Sequence, residues 1–238
     1  DQADSEYLRA LRNSSLVEKI QNNQTVFRWG QANVIYDLPE KIQQDFDQTH
    51  LHRSPQFKPY LDDLEEELII FSPYFVPGKK GTKFLAGLVE QGVRGQILTN
   101  SLASNDVGIV HAGYSKYRKA LLRGGVELYE LNKKLSRQQR KEKKGAGGSS
   151  TASLHAKSFV ADRQRIFIGS LNLDPRSVVE NTEVGVVFNS PELATGMAEW
   201  FDTQVQQIAF RLVLEPDAEG RERLRWLGIE AGQQVTFN

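Results

Sequence analysis

The stretch that decides the fold is residues 154–172, Leu-His-Ala-Lys-Ser-Phe-Val-Ala-Asp-Arg-Gln-Arg-Ile-Phe-Ile-Gly-Ser-Leu-Asn. Two short runs of β-forming residues, 153–160 and 165–169, flank residues 161–164, which have the length of a hairpin connection. Side chains alternate between the two faces of a strand, so His155 and Lys157 project from the same side with Cβ atoms about 7 Å apart. The pattern predicts one strand carrying an imidazole and an ammonium group close enough to contact a single phosphate.

Two hydrogen-bonding side chains follow the second run. The alternation through Ile166 and Ile168 continues to Ser170 and Asn172, so polar groups appear where the apolar core positions end. Gly169 leaves room for another backbone segment to approach. A neutral imidazole attacks phosphorus directly, and a neighbouring ammonium stabilises charge on the non-bridging oxygens. This chemistry needs no metal, and we expect neither a metal nor a cofactor.

Composition narrows the class of protein. The 238 residues are 39% hydrophobic and 25% charged, which is ordinary for a globular chain. The absence of Cys excludes a thiol nucleophile, a thiolate metal site and a disulfide framework. With 30 basic and 30 acidic residues, a general electrostatic attraction to nucleic acid is not indicated. No run approaches the roughly 18 apolar residues of a membrane span.

The chain does not begin with an initiator methionine, and its first residues do not resemble a signal peptide. It begins Asp-Gln-Ala-Asp, and Met197 is the single methionine in the sequence. We expect the chain to be part of a longer or processed protein. We predict an N-terminal helical arm, linker and strand over residues 1–45, followed by one domain over residues 46–238.

Alternating elements predict an α/β fold. The apolar run 68–71, a helix over 83–90 and a second strand at 96–99 form one strand-helix-strand unit, and a helix from residue 105 or 106 to 122 leads to a third strand at 126–129. We predict a mixed, largely parallel sheet flanked by helices on both faces. A helix from 61 to 67 precedes it. The later elements are strands at 183–188, 210–214, 223–227 and 235–237, with an amphipathic helix at 191–208.

Residues 133–150 have a different character. Seven basic residues and one acid lie between 133 and 144, followed by Gly-Ala-Gly-Gly-Ser-Ser. We expect a mobile basic loop. Cationic side chains near a membrane surface attract anionic head groups by about 1 kcal/mol each, so membrane contact and a solvated loop remain alternative interpretations.

The motif resembles the HKD signature of the phospholipase D superfamily. The pattern is His-x-Lys-x4-Asp-x6-Gly-Ser-x-Asn, and it is filled here by His155, Lys157, Asp162, Gly169, Ser170 and Asn172. Further segments at 72–77, 98–107, 111–114 and 125–131 look like the second half of the C-type bacterial cardiolipin synthases. The resemblance covers most of residues 60–215 and implies a phospholipase D-like fold.

The resemblance also assigns roles within the site. It implies that Glu183 orients the nucleophilic His155, while Asp162, although counted with the catalytic residues, ties the hairpin turn together. Tyr74, Asn100 and His111 become candidates for the substrate pocket, beside Ser170 and Asn172. Each has an ordinary alternative: Glu183 as a strand-edge charge, Tyr74 as a packed aromatic, and His111 as a buried core histidine.

The implied activity is phosphatidyl transfer through a phosphohistidine, at the cytoplasmic side of a bacterial membrane. Phosphatidylglycerol or phosphatidylethanolamine would be the donor. The chain carries one HKD signature, whereas the mechanism needs two, so we expect the isolated chain to have little activity. The second half would lie upstream in the full-length chain or come from a homodimer mate. Two other interpretations remain open: a homodimeric phosphodiesterase or nuclease, against which the zero net charge weighs, and a non-catalytic phosphate- or lipid-binding half-domain.

Overall fold

The computed structural model describes residues 18–20, 22, 24, 28–43, 54–104, 108–132, 153–230 and 233–237. The strands of these residues are β1 (Ala32–Tyr36), β2 (Glu67–Phe71), β3 (Arg94–Asn100), β4 (Glu127–Leu131), β5 (Ser158–Ala161), β6 (Arg165–Gly169), β7 (Val184–Asn189), β8 (Ala209–Pro216), β9 (Glu222–Glu230) and β10 (Gln233–Phe237). The helices are α1 (Ser54–Asp62), α2 (Gly78–Glu90), α3 (Gly108–Ser115), α4 (Arg118–Arg123), α5 (Pro175–Val179) and α6 (Pro191–Ile208), with a short 3₁₀ helix at Pro39–Gln43.

The strands form one mixed sheet in the order β1-β7-β6-β5-β2-β3-β4-β8-β9-β10. The mixed α/β architecture is confirmed, but the prediction of a largely parallel sheet is wrong. Only the pairs β2–β3 and β3–β4 are parallel among the described strands; in each pair the helices between the two strands return the chain to the same end of the sheet. After β4 the chain returns through hairpins and antiparallel neighbours.

Helices cover both faces of the sheet, as the sequence predicts. On one face, Leu85, Tyr114 and Leu121 of α2, α3 and α4 pack into the core. On the other face α6 packs through residues spaced by one helical turn, which are Ala194, Ala198, Phe201 and Val205. β2 is buried along its whole length, as expected of a strand covered on both sides.

Several local predictions hold and others do not. The predicted helix at 191–208 is confirmed, with Ser190 as its N-cap and Pro191 as its first residue. The helix predicted over 61–67 is correct only at residues 61 and 62, because α1 ends at Asp62 and the amides of residues 65–67 donate to a side chain of the β5–β6 hairpin. The single helix predicted up to residue 122 is divided into α3 and α4, and residues 105–107 lie outside the described residues.

The N-terminal strand belongs to the same sheet as the rest of the chain. β1 pairs antiparallel with β7 along its whole length. The predicted boundary near residue 45 and the basic loop at 133–150 both lie outside the described residues, as does most of the helical arm. Within the described part of the chain, no helix has the length and apolar character needed to cross a membrane.

Candidate active site

The β5–β6 hairpin turns through two residues with positive φ. Asp162 and Arg163 have φ values of 50° and 51°, and the Gln164 amide donates to the Ala161 carbonyl oxygen at 3.0 Å. This is the pattern of a type I′ turn, whose twist matches that of paired strands. Asp is one of the few residues other than Gly that adopt this conformation readily.

Asp162 ties this turn to the start of β2. Its carboxylate accepts the backbone amides of Glu65 at 3.1 Å, Glu66 at 2.8 Å and Glu67 at 2.9 Å. Because β5 separates it from His155, the structure does not support a catalytic role for Asp162. The contacts agree instead with the architectural interpretation of the sequence.

His155 and Lys157 lie in a segment without regular secondary structure immediately before β5. The sequence predicts that both residues belong to the strand, and this is wrong because β5 begins at Ser158. The pairing with β6 nevertheless continues past the end of the strand, since the Gly169 amide donates to the Lys157 carbonyl oxygen at 3.1 Å. Lys157 Nζ is 3.5 Å from His155 Nε2 and donates to the His155 carbonyl oxygen at 3.3 Å. His155 is exposed, and Lys157 is half-buried.

Gly169 and the residues around it bring three chain segments close together. A Cβ atom at Gly169 would lie 2.6 Å from the Val184 carbonyl oxygen and 2.7 Å from the Phe167 ring, so no larger residue fits without displacing β7 or the ring. This agrees with the close approach that the sequence predicts. The Ser170 amide donates to the same Val184 carbonyl oxygen at 2.9 Å.

Glu183 faces the lysine of the site. Burial lowers the pKa of Lys157, and the charge of Glu183 raises it again. The Glu183 carboxylate accepts a hydrogen bond from the Ser170 hydroxyl and a long one, 3.5 Å, from the Asn181 side-chain amide. The hydrogen bonds of the described residues do not include one between Glu183 and His155. The expected orientation of the imidazole by this carboxylate stays a prediction.

A buried ion pair that the sequence analysis missed holds the backbone at Glu183. Asp37 Oδ2 accepts the Glu183 amide at 3.1 Å, and Lys41 Nζ donates to Asp37 at 2.9 Å and to the Asn181 carbonyl oxygen at 2.7 Å. Both charged side chains are fully buried. The i, i+4 spacing of Asp37 and Lys41 could have indicated an ion pair within one segment. It carries no information on the contact of Asp37 with the Glu183 amide.

Ser170 and Asn172 differ in their surroundings. Ser170 is exposed at the surface, and its hydroxyl oxygen accepts the Val184 amide at 3.1 Å. Asn172 is half-buried, and its Oδ1 atom is enclosed without a hydrogen-bond partner among the described residues. An enclosed acceptor of this kind is suited to a donor group on a ligand.

The loop at 72–77 is bound to the segment that carries Asn172. The Val76 amide donates to the Leu173 carbonyl oxygen at 2.7 Å, and the Leu173 amide donates to Ser72 Oγ at 3.3 Å. Ser72 Oγ in turn donates to the carbonyl oxygen of half-buried Tyr74 at 2.9 Å. Ser72 was not predicted as a site residue, although it follows directly on the end of β2.

Asn100 makes contacts that differ from those predicted. It is 2% exposed, its Oδ1 accepts the Leu154 amide at 2.9 Å, and its Nδ2 donates to the Leu154 and Pro73 carbonyl oxygens at 3.1 and 3.3 Å. With both ends of its amide bound to backbone, Asn100 holds the residue that precedes His155. The structure therefore favours a positioning role over direct substrate contact.

The surroundings of His111 favour the core alternative. The residue is 7% exposed, and its ring lies 5.8 Å from the Tyr114 ring in an edge-on arrangement. Burial lowers the pKa of His111, Glu130 opposes this shift and Arg118 adds to it. His111 lies on α3, interacts with Glu130 of β4 and makes a hydrogen bond with the backbone of Asn100, so its contacts favour a packed structural role over substrate contact.

The described residues contain no cluster of three or more His, Cys, Asp or Glu side chains arranged to hold a metal ion. The polar groups next to the beginning of β5 are the His155 imidazole, the Lys157 ammonium and the Glu183 carboxylate, which interacts with that ammonium and accepts the Ser170 hydroxyl. Together they suit a phosphate-containing ligand.

Comparison with known proteins agrees with this chemistry. The family "Cardiolipin synthase, PLD-like domain" matches residues 58–205. The chain is 38% identical over 229 residues to cardiolipin synthase C of Escherichia coli (strain K12), covering 96% of this chain and 47% of that protein. It is 34% identical over 222 residues to an uncharacterized protein of Helicobacter pylori (strain J99), covering 92% of this chain and 41% of that protein. The chain thus spans about half the length of these relatives.

Two solved structures share the fold. One is Nuc of Salmonella typhimurium, a phospholipase D family member, with a TM-score of 0.51 and 17% identity; the match covers 82% of this chain and 99% of that one. The other is phosphatidylserine synthase of Haemophilus influenzae Rd KW20, with a TM-score of 0.53 and 17% identity; the match covers 76% of this chain and 39% of that one. The family match and the relatives together show that the chain belongs to the phospholipase D-like cardiolipin synthase family.

Proposed function

We propose that this chain supplies one half of the active site of a phosphatidyltransferase of the cardiolipin synthase type. The observation that carries the proposal is the contact between an exposed imidazole, His155, and a half-buried ammonium, Lys157, whose nitrogen atoms are 3.5 Å apart. One phosphate can contact both groups. The similarity to cardiolipin synthase C supports a phospholipid as the molecule that carries this phosphate.

The first step is a displacement at phosphorus. The neutral ring nitrogen of His155 attacks the phosphodiester of a phosphatidyl donor, a nitrogen–phosphorus bond forms, and the bond to the head-group oxygen breaks. The leaving alcohol takes a proton from a general acid. Phosphatidylglycerol releases glycerol, and phosphatidylethanolamine releases ethanolamine. Lys157 contacts the non-bridging oxygens, on which negative charge accumulates.

The second step reverses the first with a different alcohol. A hydroxyl group of phosphatidylglycerol loses its proton to the group that acted as the acid and attacks phosphorus, which yields cardiolipin and restores His155. Water in place of this acceptor yields phosphatidic acid. Ser170 and Glu183 form a hydrogen-bonded pair close to the lysine, and the enclosed Oδ1 of Asn172 accepts a donor group of the lipid.

The general acid comes from a second HKD half. His111 is buried in the core and does not meet the needs of an acid at the leaving alcohol. The relatives are about twice as long as the aligned segment, which supports a second half elsewhere in the same protein; a homodimer mate would serve equally. In either arrangement the enzyme works at the cytoplasmic surface of a bacterial membrane, where the seven basic residues in the sequence 133–144 would attract anionic lipids.

The test is a vesicle assay with the full-length protein. Vesicles of phosphatidylglycerol, with and without phosphatidylethanolamine, are incubated with the wild-type protein and with His155→Ala, and cardiolipin and phosphatidic acid are quantified. We expect cardiolipin, and a phosphatidyl group bound through an acid-labile nitrogen–phosphorus bond to the peptide that contains residue 155. Cleavage of DNA without lipid turnover would contradict the proposal, and so would phosphohistidine formation that survives His155→Ala.

A further inference from the structure

An apolar cavity of about 300 Å³ lies beside Lys157. It lies between the sheet and the helices α1, α2 and α5 and is partly open to solvent. Its wall includes Phe57, Leu61, Phe84, Phe159, Phe167 and Val178. Lys157 is the only charged residue among the described residues that line it. The cavity volume is at the lower end of the range for small-molecule pockets.

The inner wall of the cavity is made of packed aromatic rings. The rings of Phe159 and Phe167 are stacked with centroids 5.0 Å apart, and Phe57 meets Phe167 edge-on at 5.0 Å. Rings that are packed against one another in this way do not collapse easily into adjacent space. The cavity is therefore a formed feature of the fold.

The outer rim of the cavity reaches solvent. Phe84 on α2 is 41% exposed and Val178 on α5 is 38% exposed, and both also line the cavity. An apolar cavity offers water few hydrogen bonds, so ordered water is a poor occupant. An apolar group that enters from the rim would be removed from water, which is favourable in proportion to its area.

The position of Lys157 identifies the kind of molecule that fits. Its ammonium group is 3.5 Å from the nucleophilic nitrogen, and the same side chain lines the apolar cavity. A ligand that uses both features carries a long hydrocarbon chain within a few bonds of its phosphate, as a phospholipid does through its glycerol ester. A nucleic acid has a polar sugar on either side of its phosphate and leaves the cavity unused.

We infer that this cavity accommodates one hydrocarbon chain of the phospholipid whose phosphodiester lies at His155 and Lys157. The inference rests on the proposed function and extends it, because it makes the acyl chain a determinant of substrate choice. Each methylene group that enters the cavity raises the binding constant of the lipid about fourfold. Lipids with long chains are therefore preferred to chain-free phosphodiesters that present the same reacting group.

Blocking the rim tests this inference. Val178→Trp fills the mouth of the cavity from an exposed position, whereas Leu193→Trp adds the same side chain to α6 on the other face of the sheet, where Leu193 is 39% exposed. Both variants of the full-length protein are assayed with dioleoyl phosphatidylglycerol and with bis(4-nitrophenyl) phosphate, which has no chain. We expect Val178→Trp to lower kcat/KM for the lipid at least tenfold and to change the chain-free reaction less than twofold. Leu193→Trp should change neither.

The outcomes separate the two proposals. Lipid turnover by Val178→Trp at the wild-type rate overturns the cavity inference and leaves the proposed function intact. An equal loss on both substrates also overturns it, because the substitution would then act on the reacting groups. If the wild-type protein hydrolyses bis(4-nitrophenyl) phosphate but not lipid, the proposed phosphatidyltransferase function fails, and the cavity inference fails with it.

A photoreactive lipid gives a direct measurement. Phosphatidylglycerol with a diazirine at the end of one acyl chain is irradiated with the full-length protein, and the labelled peptides are mapped. We expect labelling on α1 and α5, removed by Val178→Trp and retained by Leu193→Trp. Labelling confined to other surfaces overturns the inference. So does an absence of labelling on these helices, the result expected if another segment of the protein fills the cavity.

Discussion

The two ends of β5 serve opposite purposes. At one end, His155 and Lys157 are joined by a contact of 3.5 Å, and the imidazole is exposed to solvent. At the other end, Asp162 accepts three backbone amides at 2.8 to 3.1 Å. Both ends carry residues of one sequence motif, and they are separated by a strand of only four residues.

The difference shows how a motif divides between chemistry and architecture. Side chains that react must keep bonding capacity for the ligand, so they are loosely held in the protein itself. Side chains that define the geometry have their bonding capacity filled by the protein. The motif pattern does not distinguish the two kinds, whereas the hydrogen bonds do. This division can be tested by changing one end of β5 at a time.

Removing the nucleophile should have the largest effect. His155→Asn leaves the hairpin unchanged, and we expect a loss of transfer activity on the order of 10³-fold or more, because no other group forms the covalent intermediate. The melting temperature should change by less than about 2 °C, since the ring is exposed. Activity in vesicles and thermal unfolding are measured on the same preparation. A large drop in melting temperature would mean that the two ends of β5 are not separable.

Removing the anchor should act on stability. Asp162→Ala leaves three amides without their acceptor, and we expect the free energy of unfolding to fall by about 2–4 kcal/mol in denaturant titrations. Asp162→Gly is the matched control, because it removes the same carboxylate but relieves the positive φ of 50°. Gly should therefore be less destabilising than Ala. If both variants were as stable as the wild type, the anchoring role would be refuted.

Loosening the clamp on the reactive end should have a moderate effect. Asn100→Ala removes the two hydrogen bonds that hold Leu154, and we expect kcat to fall roughly tenfold with KM nearly unchanged, because the position of His155 is less well defined. Steady-state kinetics at several lipid concentrations separate the two parameters. A change confined to KM would restore the original prediction that Asn100 contacts the substrate.

The smallest effect should appear in the pH profile. Transfer should decline at alkaline pH as Lys157 loses its proton, and at a lower pH than for an ordinary lysine, because burial lowers the pKa of Lys157. Glu183 raises this pKa, so Glu183→Gln should move the alkaline midpoint of kcat/KM further down. In Lys157→Arg the alkaline limb should vanish, since Arg stays protonated. An upward shift in Glu183→Gln would contradict the charge interaction.

Local sequence patterns were sufficient for much of this architecture. Three elements were predicted from the spacing of apolar residues: the alternation at 165–169, the buried run at 68–71 and the helical spacing at 191–208. This spacing depends only on which side chains of one segment face the core, so the sequence of that segment is enough to predict it. The proximity of His155 and Lys157 follows for the same reason. Separation by two residues in extended backbone places them on one side.

Partnerships between distant segments could not be predicted in this way. The antiparallel position of β5 beside β2 depends on which strand edge is available after β4, and no local pattern records it. The same applies to Asn100 and Leu154, and to the Asp37–Lys41 pair that holds Glu183. A side chain's type indicates which bonds it can form. Its neighbours in space decide which bonds it does form.

The central position of β2 has a consequence for the synthesis of this protein on the ribosome. Ile70 pairs with Ile97 on one side and with Phe159 on the other, and Phe159 is made much later than either. At about 5–20 residues per second, one edge of β2, which is apolar from Leu68 to Phe71, waits several seconds for its partner. Exposed edges of this kind invite pairing between nascent chains. Arrival of the β5–β6 hairpin, secured by Asp162, therefore ends the period in which the growing chain is most prone to aggregate.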